Sequence, residues 1–126
     1  MYLIDTNIFL EVLLTQERQE ACKEFLEKNI GNLCISDFSL HSIGVILFRN
    51  KKEKIFQKFV KDILPNVKII TLSKLSYQNL SDMRRKFGLD FDDAYQYKIA
   101  KDSDFKLVTL YRDFEKIKND LVVMFL

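Results

Sequence analysis

Almost all the chemistry this chain can offer is carboxylate chemistry. It holds one histidine, His41, and two cysteines, Cys22 and Cys34, which have no His or Cys partner at metal-ligand spacing. The thiols are expected to be free and to act as small hydrophobes. No serine or cysteine sits in a nucleophile motif, and neither G-x-x-x-x-G-K-[ST] nor G-x-G-x-x-G occurs, so the phosphate-cradling loops of nucleotide enzymes are absent. With so few groups suited to proton transfer near neutral pH, catalysis has to rest on acids. The acids stand out at three places: Asp5 directly after the first apolar run, Asp92 and Asp93 within Leu89-Asp90-Phe91-Asp92-Asp93-Ala94, and Asp113 just past Leu107-Val108-Thr109. Crowded together, such carboxylates raise one another's pKa and oppose folding unless a cation offsets them. An oxygen-only donor set selects a hard ion, Mg²⁺ or Mn²⁺. Each acid also has a plainer local reading: Asp5 can cap a first helix, and Asp90, Asp92 and Asp93 all suit a helix N-terminus. Local sequence favours the caps, whereas the spacing along the whole chain favours a shared site.

For these acids to meet, the intervening segments must bring three distant stretches to one edge. Residues 2–4 form a short apolar run, and Ile8, Phe9, Val12 and Leu13 then fall at helical spacing, which predicts strand, turn and helix. A second helix over 17–29 carries acids early and Lys28 late, as the helix dipole favours, and Gly31 stops it. Strand 33–35 leads to Ser36, a suitable cap for a helix over 37–48. That helix is apolar on most sides, with Phe38, Leu40, Ile43, Val45 and Phe48, and is predicted to be central and largely buried. His41, which lies on it, reads as a core histidine with satisfied nitrogens. A basic helix over 51–63 ends before Pro65, and strand 67–70 follows. Helices over 73–87, closed by Gly88, and 90–101 precede strand 107–109, a short turn from Asp113, and a last strand over 121–125. Such alternation predicts a three-layer α/β/α arrangement with a mostly parallel sheet of four to five short strands, covered on both faces. Ligands of these sheets bind outside the carboxyl ends of the strands, which is where Asp5 would lie.

Composition sets the remaining bounds. At 126 residues, 48% hydrophobic and 30% charged with 3 Gly and 1 Pro, the chain is expected to fold as one domain over 1–126, without disulfides or structural zinc. No stretch approaches the length of uncharged residues that a membrane span needs. The N-terminal run lacks the basic region of a secretion signal, so a cytoplasmic protein is expected. A net charge of +2 permits contact with nucleic acid without arguing for it. Lys51, Lys52, Lys54, Lys58 and Lys61 are interrupted by Glu53 and Asp62 and read first as a solvated helix face, second as an RNA-facing strip. Phe9, Leu13, Leu14, Phe25 and Phe48 read first as core, second as an interaction surface.

Three motifs in register carry a family resemblance. Ile4-Asp5-Thr6-Asn7, Leu89-Asp90-Phe91-Asp92-Asp93-Ala94, and Leu107-Val108-Thr109 followed by Asp113-Phe114 resemble the PIN domain, specifically the VapC-like toxins of toxin–antitoxin pairs, over nearly the whole chain. The resemblance implies a PIN-like fold and an Mg²⁺- or Mn²⁺-dependent endoribonuclease acting on RNA. It allows a cognate antitoxin and a homodimer as partners. It also implies a four-acid centre, in which Asp5 takes the first place and Asp93 the third. The second place, a glutamate on the central helix, falls on Ser42 with His41 beside it. The fourth, an aspartate in the turn after strand four, falls on Tyr111. Asp113 is then the nearest carboxylate to the fourth place, Asp37 a substitute for the second, and Asp92 a neighbour of the third. Thr6, Asn7 and Thr109 are expected to hold the acids or bound waters. Two readings stay open: a working ribonuclease, or a PIN-like RNA- or protein-binding module whose acidic centre is degenerate, weak or inactive. A receiver-like aspartyl-phosphate domain is a third class, but the chain has no D-x-D after strand one and no suitable lysine after a late strand.

Overall fold

The computed structural model describes residues 1–126. Strands β1 (Tyr2–Ile4), β2 (Leu33–Ser36), β3 (Lys68–Ile70), β4 (Lys106–Thr109) and β5 (Val123–Phe125) form one sheet in the order β3-β2-β1-β4-β5. Every neighbouring pair is parallel. The middles of the inner strands are apolar because both faces are covered: Leu3, Cys34 and Leu107 enter one core, while their neighbours Ile4, Ile35 and Val108 enter the other. Helices α1 (Thr6–Leu13), α2 (Gln19–Lys28), α3 (Asp37–Arg49) and α4 (Glu53–Asp62) pack on the second of these faces, and α5 (Leu80–Phe87) and α6 (Phe91–Ser103) on the first. Edge-to-face packing of Phe9 on Phe59, ring centres 5.5 Å apart, ties α1 to α4. Cys22 and Cys34 are free and buried, as expected. No helix is long and apolar enough to cross a membrane.

The strand order creates the place for a site. The chain steps from β1 outward through β2 to β3, then returns to β1's other side for β4 and moves out to β5. The gap between the carboxyl ends of β1 and β4 is therefore the topological switch point, where two connections diverge and leave a crevice.

Three local features differ from the sequence-based expectations. The helix over 73–87 is regular only from Leu80; the part before it is a 3₁₀ turn over Leu75–Asn79. Ser73 Oγ accepts from the Ser76 amide, and Ser76 Oγ donates to Asp102, and such local side-chain bonds compete with α-helical pairing. Second, α3 is not the buried central helix. It buries only Ser39, Ile43 and Leu47, one stripe at i, i+4 and i+8, and Phe48 is 59% exposed. Its outer side meets solvent because α4 covers one edge only, with Phe56 against Phe48 at 5.8 Å. The most buried helix is α6, which hides Asp93, Ala94, Tyr95, Gln96, Tyr97, Ile99 and Ala100 beneath α5 and the sheet. Third, His41 is exposed on the outer side of α3 and is no core histidine. Of the apolar residues that offered two readings, Phe9 is core at 0% exposure, and Phe48 lies at the surface.

Candidate functional site

A cleft of about 300 Å³ opens at the β1/β4 switch point. β1 ends one residue before Asp5, whose extended backbone lets its Oδ1 accept from the Thr6 amide at 2.8 Å, so it does cap α1. The same carboxylate accepts from Thr109 Oγ1 at 2.7 Å, from the end of β4, and from Gln96 Nε2 at 3.4 Å, from α6. The cap and the shared site are thus one arrangement: β1 and β4 are adjacent, so the residue that caps α1 faces the end of β4. Thr109 is fully buried and its hydroxyl is fixed by the Tyr111 amide at 2.9 Å.

α6 supplies the opposite wall. Asp90 is its cap, accepting from the Asp93 amide at 3.1 Å, which sets the first turn so that Asp90, Asp92 and Asp93 all line the cleft with Asp5. α3 supplies the third side through Ser39 and Ser42, and Asn7 and Thr6 contribute from α1. The lining includes four aspartates and no lysine, arginine or histidine, so the negative charge has no cationic side chain to balance it.

Burial first, and the neighbouring acids second, set the electrostatics of the cleft. Burial raises the Asp5 carboxyl above its ordinary range, the charge of Asp92 adds to this, and the hydrogen bonds from Thr109, Thr6 and Gln96 oppose it. Asp93 is pushed up to about 7, first by burial, then by Asp90, whose carboxylate both repels it and hydrogen-bonds its protonated form, and then by Asp5 and Asp92. Two carboxyls thus resist ionisation in one cleft, burial being the largest cause for each.

Gln96 and Ser39 were not foreseen from sequence. Gln96 is 3% exposed, and its Nε2 donates to Ser39 Oγ at 3.1 Å as well as to Asp5. Its Oε1 is the one buried side-chain oxygen or nitrogen in the chain with no hydrogen-bond partner. An acceptor left so is costly, about 1–3 kcal/mol, and a cation or a water bound to one would satisfy it. A signal did exist: Gln96 lies three residues after Asp93, on the same helical face, within an otherwise apolar or aromatic run.

Other candidates lie elsewhere. Asp37 Oδ1 accepts from the Tyr95 hydroxyl at 2.6 Å and from the Phe38 amide, and Asp37 lines a separate groove beside α4. It is not among the residues that line the cleft with Asp5, the place expected for a substitute of the central-helix glutamate. His41 lines that same outer groove. Asp113 is exposed, and its Oδ2 accepts from the Tyr111 hydroxyl at 2.6 Å. Tyr111, not Asp113, lines the cleft, since the 3₁₀ turn over Arg112–Ile117 carries Asp113 outward. The hydrogen bond to Asp113, and then the charge of that carboxylate, raise the Tyr111 hydroxyl to about 12. No group of three or more His, Cys, Asp or Glu side chains is gathered as a ready metal cage.

Against known families, the PIN domain model matches residues 2–120. No curated protein sequence matches the chain. Several solved structures share the fold. A toxin–antitoxin complex from Klebsiella pneumoniae aligns at TM-score 0.76 with 21% identity, covering 98% of this chain and 96% of that one. VapBC2 from Rickettsia felis, solved bound to a DNA fragment from its promoter, aligns at TM-score 0.79 with 22% identity over 97% and 96%. VapC20 from Mycobacterium tuberculosis, described as a sarcin-ricin loop cleaving toxin, aligns at TM-score 0.80 with 12% identity over 97% of each chain.

Proposed function

This chain belongs to the PIN domain family, and on that premise we propose that it is a divalent-cation-dependent ribonuclease, with residues 1–126 acting as one domain. The observation that carries the reading is the uncompensated cleft: Asp5, Asp90, Asp92 and Asp93 line it with no basic side chain. All its donors are oxygens or amides, which suits Mg²⁺ or Mn²⁺ over softer ions. The orphaned Gln96 Oε1 fits the same ion or its water. The lack of a three-acid cage fits an ion held by one or two carboxylates plus substrate phosphate, the usual habit of Mg²⁺.

Asp5 and Asp93 would hold the ion, which when bound activates water and offsets charge on the leaving oxygen of a phosphodiester. Thr109, Thr6 and Gln96 fix the Asp5 carboxylate, so its oxygens need no reorganisation when substrate arrives. Gln96 Oε1 would supply a neutral oxygen from α6. Ser42 offers a hydroxyl in the lining that can donate to phosphate. Asp90 and Asp92 lower the affinity of the cleft for a bare phosphate, so RNA is expected to enter with the cation and not before it.

RNA as substrate is supported by the fold shared with VapC20, described as cleaving the sarcin-ricin loop. An antitoxin partner is supported by the toxin–antitoxin complexes among the similar structures, and a cytoplasmic location goes with both. The test is incubation of the purified chain with labelled single-stranded and stem-loop RNA, with Mn²⁺ or with EDTA. Cleavage that needs Mn²⁺ and is lost in Asp5→Asn and Asp93→Asn supports the reading. No cleavage of either RNA, with no Mn²⁺ bound, overturns it. In that event the second reading takes over, a PIN-like RNA- or protein-binding module, which the neutral Ser42 and Tyr111 in the cleft wall favour.

A further inference from the structure

Next to the acidic cleft, and sharing Asp90 with it, lies a second hollow of about 400 Å³. Its floor is apolar, from Leu80, Leu89 and Ala94, and its rims are Tyr77, Phe91 and Arg84. Phe91 is 54% exposed and Tyr77 46% exposed, large aromatic faces that solvent does not favour. Neither ring is loose. Both rest on Tyr95, Phe91 nearly parallel to it at 6.2 Å and Tyr77 edge-on at 5.8 Å. Tyr95 is itself buried and pinned, its hydroxyl donating to Asp37 at 2.6 Å and accepting from the Leu72 amide at 3.2 Å. Rigid aromatic rims therefore flank the hollow.

Charge changes sign across this short distance. The cleft is acidic, whereas the last turn of α5 holds Arg84, Arg85 and Lys86. Arg85 is paired with Asp82, and Lys86 lies over the Phe87 ring at 5.1 Å. Arg84 is exposed and makes only a 3.5 Å contact with the Leu89 carbonyl, so most of its guanidinium donors remain available to a phosphate or to a base plane.

We infer that this hollow is a nucleobase subsite: a base of single-stranded RNA next to the phosphate in the cleft stacks on Phe91 and Tyr77, and Arg84 takes the adjoining phosphate. This rests on the ribonuclease reading above and adds a determinant that the acids cannot provide, because phosphate contacts position a strand while stacked, unpaired bases let a protein select single strands. A protein partner would also bury exposed rings. The shared Asp90 wall and the unpaired guanidinium favour a strand that carries a phosphate at each step.

The test is equilibrium binding by fluorescence anisotropy in Ca²⁺ buffer, using a labelled single-stranded RNA and the same strand made abasic at its central positions. The wild type should bind the intact strand about 5- to 100-fold more tightly than the abasic one, the range expected for one stacked base. Phe91→Ala, at a position 54% exposed and with its fold checked by thermal melting, should erase that preference and leave abasic binding unchanged. Arg84→Gln should weaken both strands alike and reduce the salt dependence by about one charge. Equal wild-type affinity for the two strands, or a Phe91→Ala loss shared by both, overturns the subsite and leaves the ribonuclease reading standing. Failure of the wild type to bind either strand strikes the ribonuclease reading itself. Loss in Phe91→Ala of a protein complex, with RNA binding intact, assigns the rings to a partner and overturns the subsite.

Discussion

Replacing Asp93 with asparagine should stabilise the cation-free protein at neutral and alkaline pH while removing its response to Mn²⁺. Moving the Asp93 carboxyl from its ordinary 3.8 to about 7 corresponds to about 4 kcal/mol between charged and neutral forms. The group faces an open cleft, and solvent screening reduces the usable part to about 1–2 kcal/mol. Asparagine also gives up a favourable charge near the α6 N-terminus, about 0.3–1 kcal/mol, so the net gain is about 1 kcal/mol, or about 3–5 °C for a chain of this size. The sign comes from proton counts. Between about pH 4 and 7 the folded protein keeps a proton on Asp93 that the unfolded chain has released, so stability falls as pH rises through this window, and the full penalty applies above it. Asp5, raised by burial, acts in the same direction and stays in both proteins. Thermal melts of wild type and Asp93→Asn in EDTA, from about pH 4.5 to 8, isolate the Asp93 part by difference. The gap should be largest at the alkaline end and shrink towards the acid end. With Mn²⁺ the order should reverse, because only the wild type gains binding energy. An asparagine variant less stable than wild type at the alkaline end in EDTA would refute the reasoning and make Asp93 a structural helix-start residue.

Gln96→Leu removes two donated hydrogen bonds, about 1 kcal/mol each, and also the orphaned acceptor, about 1–3 kcal/mol. Melting in EDTA should therefore change little while Mn²⁺ affinity, read by the electron paramagnetic resonance of the free ion, falls; unchanged affinity would remove Gln96 from the centre. Ser42→Glu should strengthen Mn²⁺ binding in calorimetric titration and raise RNA cleavage, by returning a carboxylate to the α3 side of the cleft, and no gain in either would mean that position 42 does not reach the ion. Gly88→Ala should lower stability by about 1 kcal/mol, read as a lower urea midpoint with an unaltered slope, because Gly88 ends α5 at φ +67 and the strain there is backbone strain, with only Lys116 Nζ at 3.9 Å from the added carbon.

The sequence by itself determined the layers and the order of elements. Short apolar runs such as Leu3-Ile4 and Leu107-Val108 have no polar face, so they had to be covered on both sides, and a right-handed parallel arrangement followed from the helices between them. Caps were legible for the same reason: Ser36, Asp90 and Gly88 act on atoms within a few residues, a range over which type and spacing decide geometry. That Asp5 and Asp93 would line one cleft was legible because the end of a strand and the start of a helix leading into the next strand share an edge. What lay beyond reach depended on partners far along the chain. Gln96 meets Asp5 across 91 residues. Asp37 is turned from the cleft by Tyr95, 58 residues away. The outer side of α3 looked like core by composition, and only the tertiary structure, which lays α4 along one edge of it, leaves Phe48 in solvent. Hydrophobic pattern states how much surface a helix would hide, but the neighbours that hide it are chosen by packing the whole sheet at once, so burial on α3 and α6 was decided there and not in their own residues.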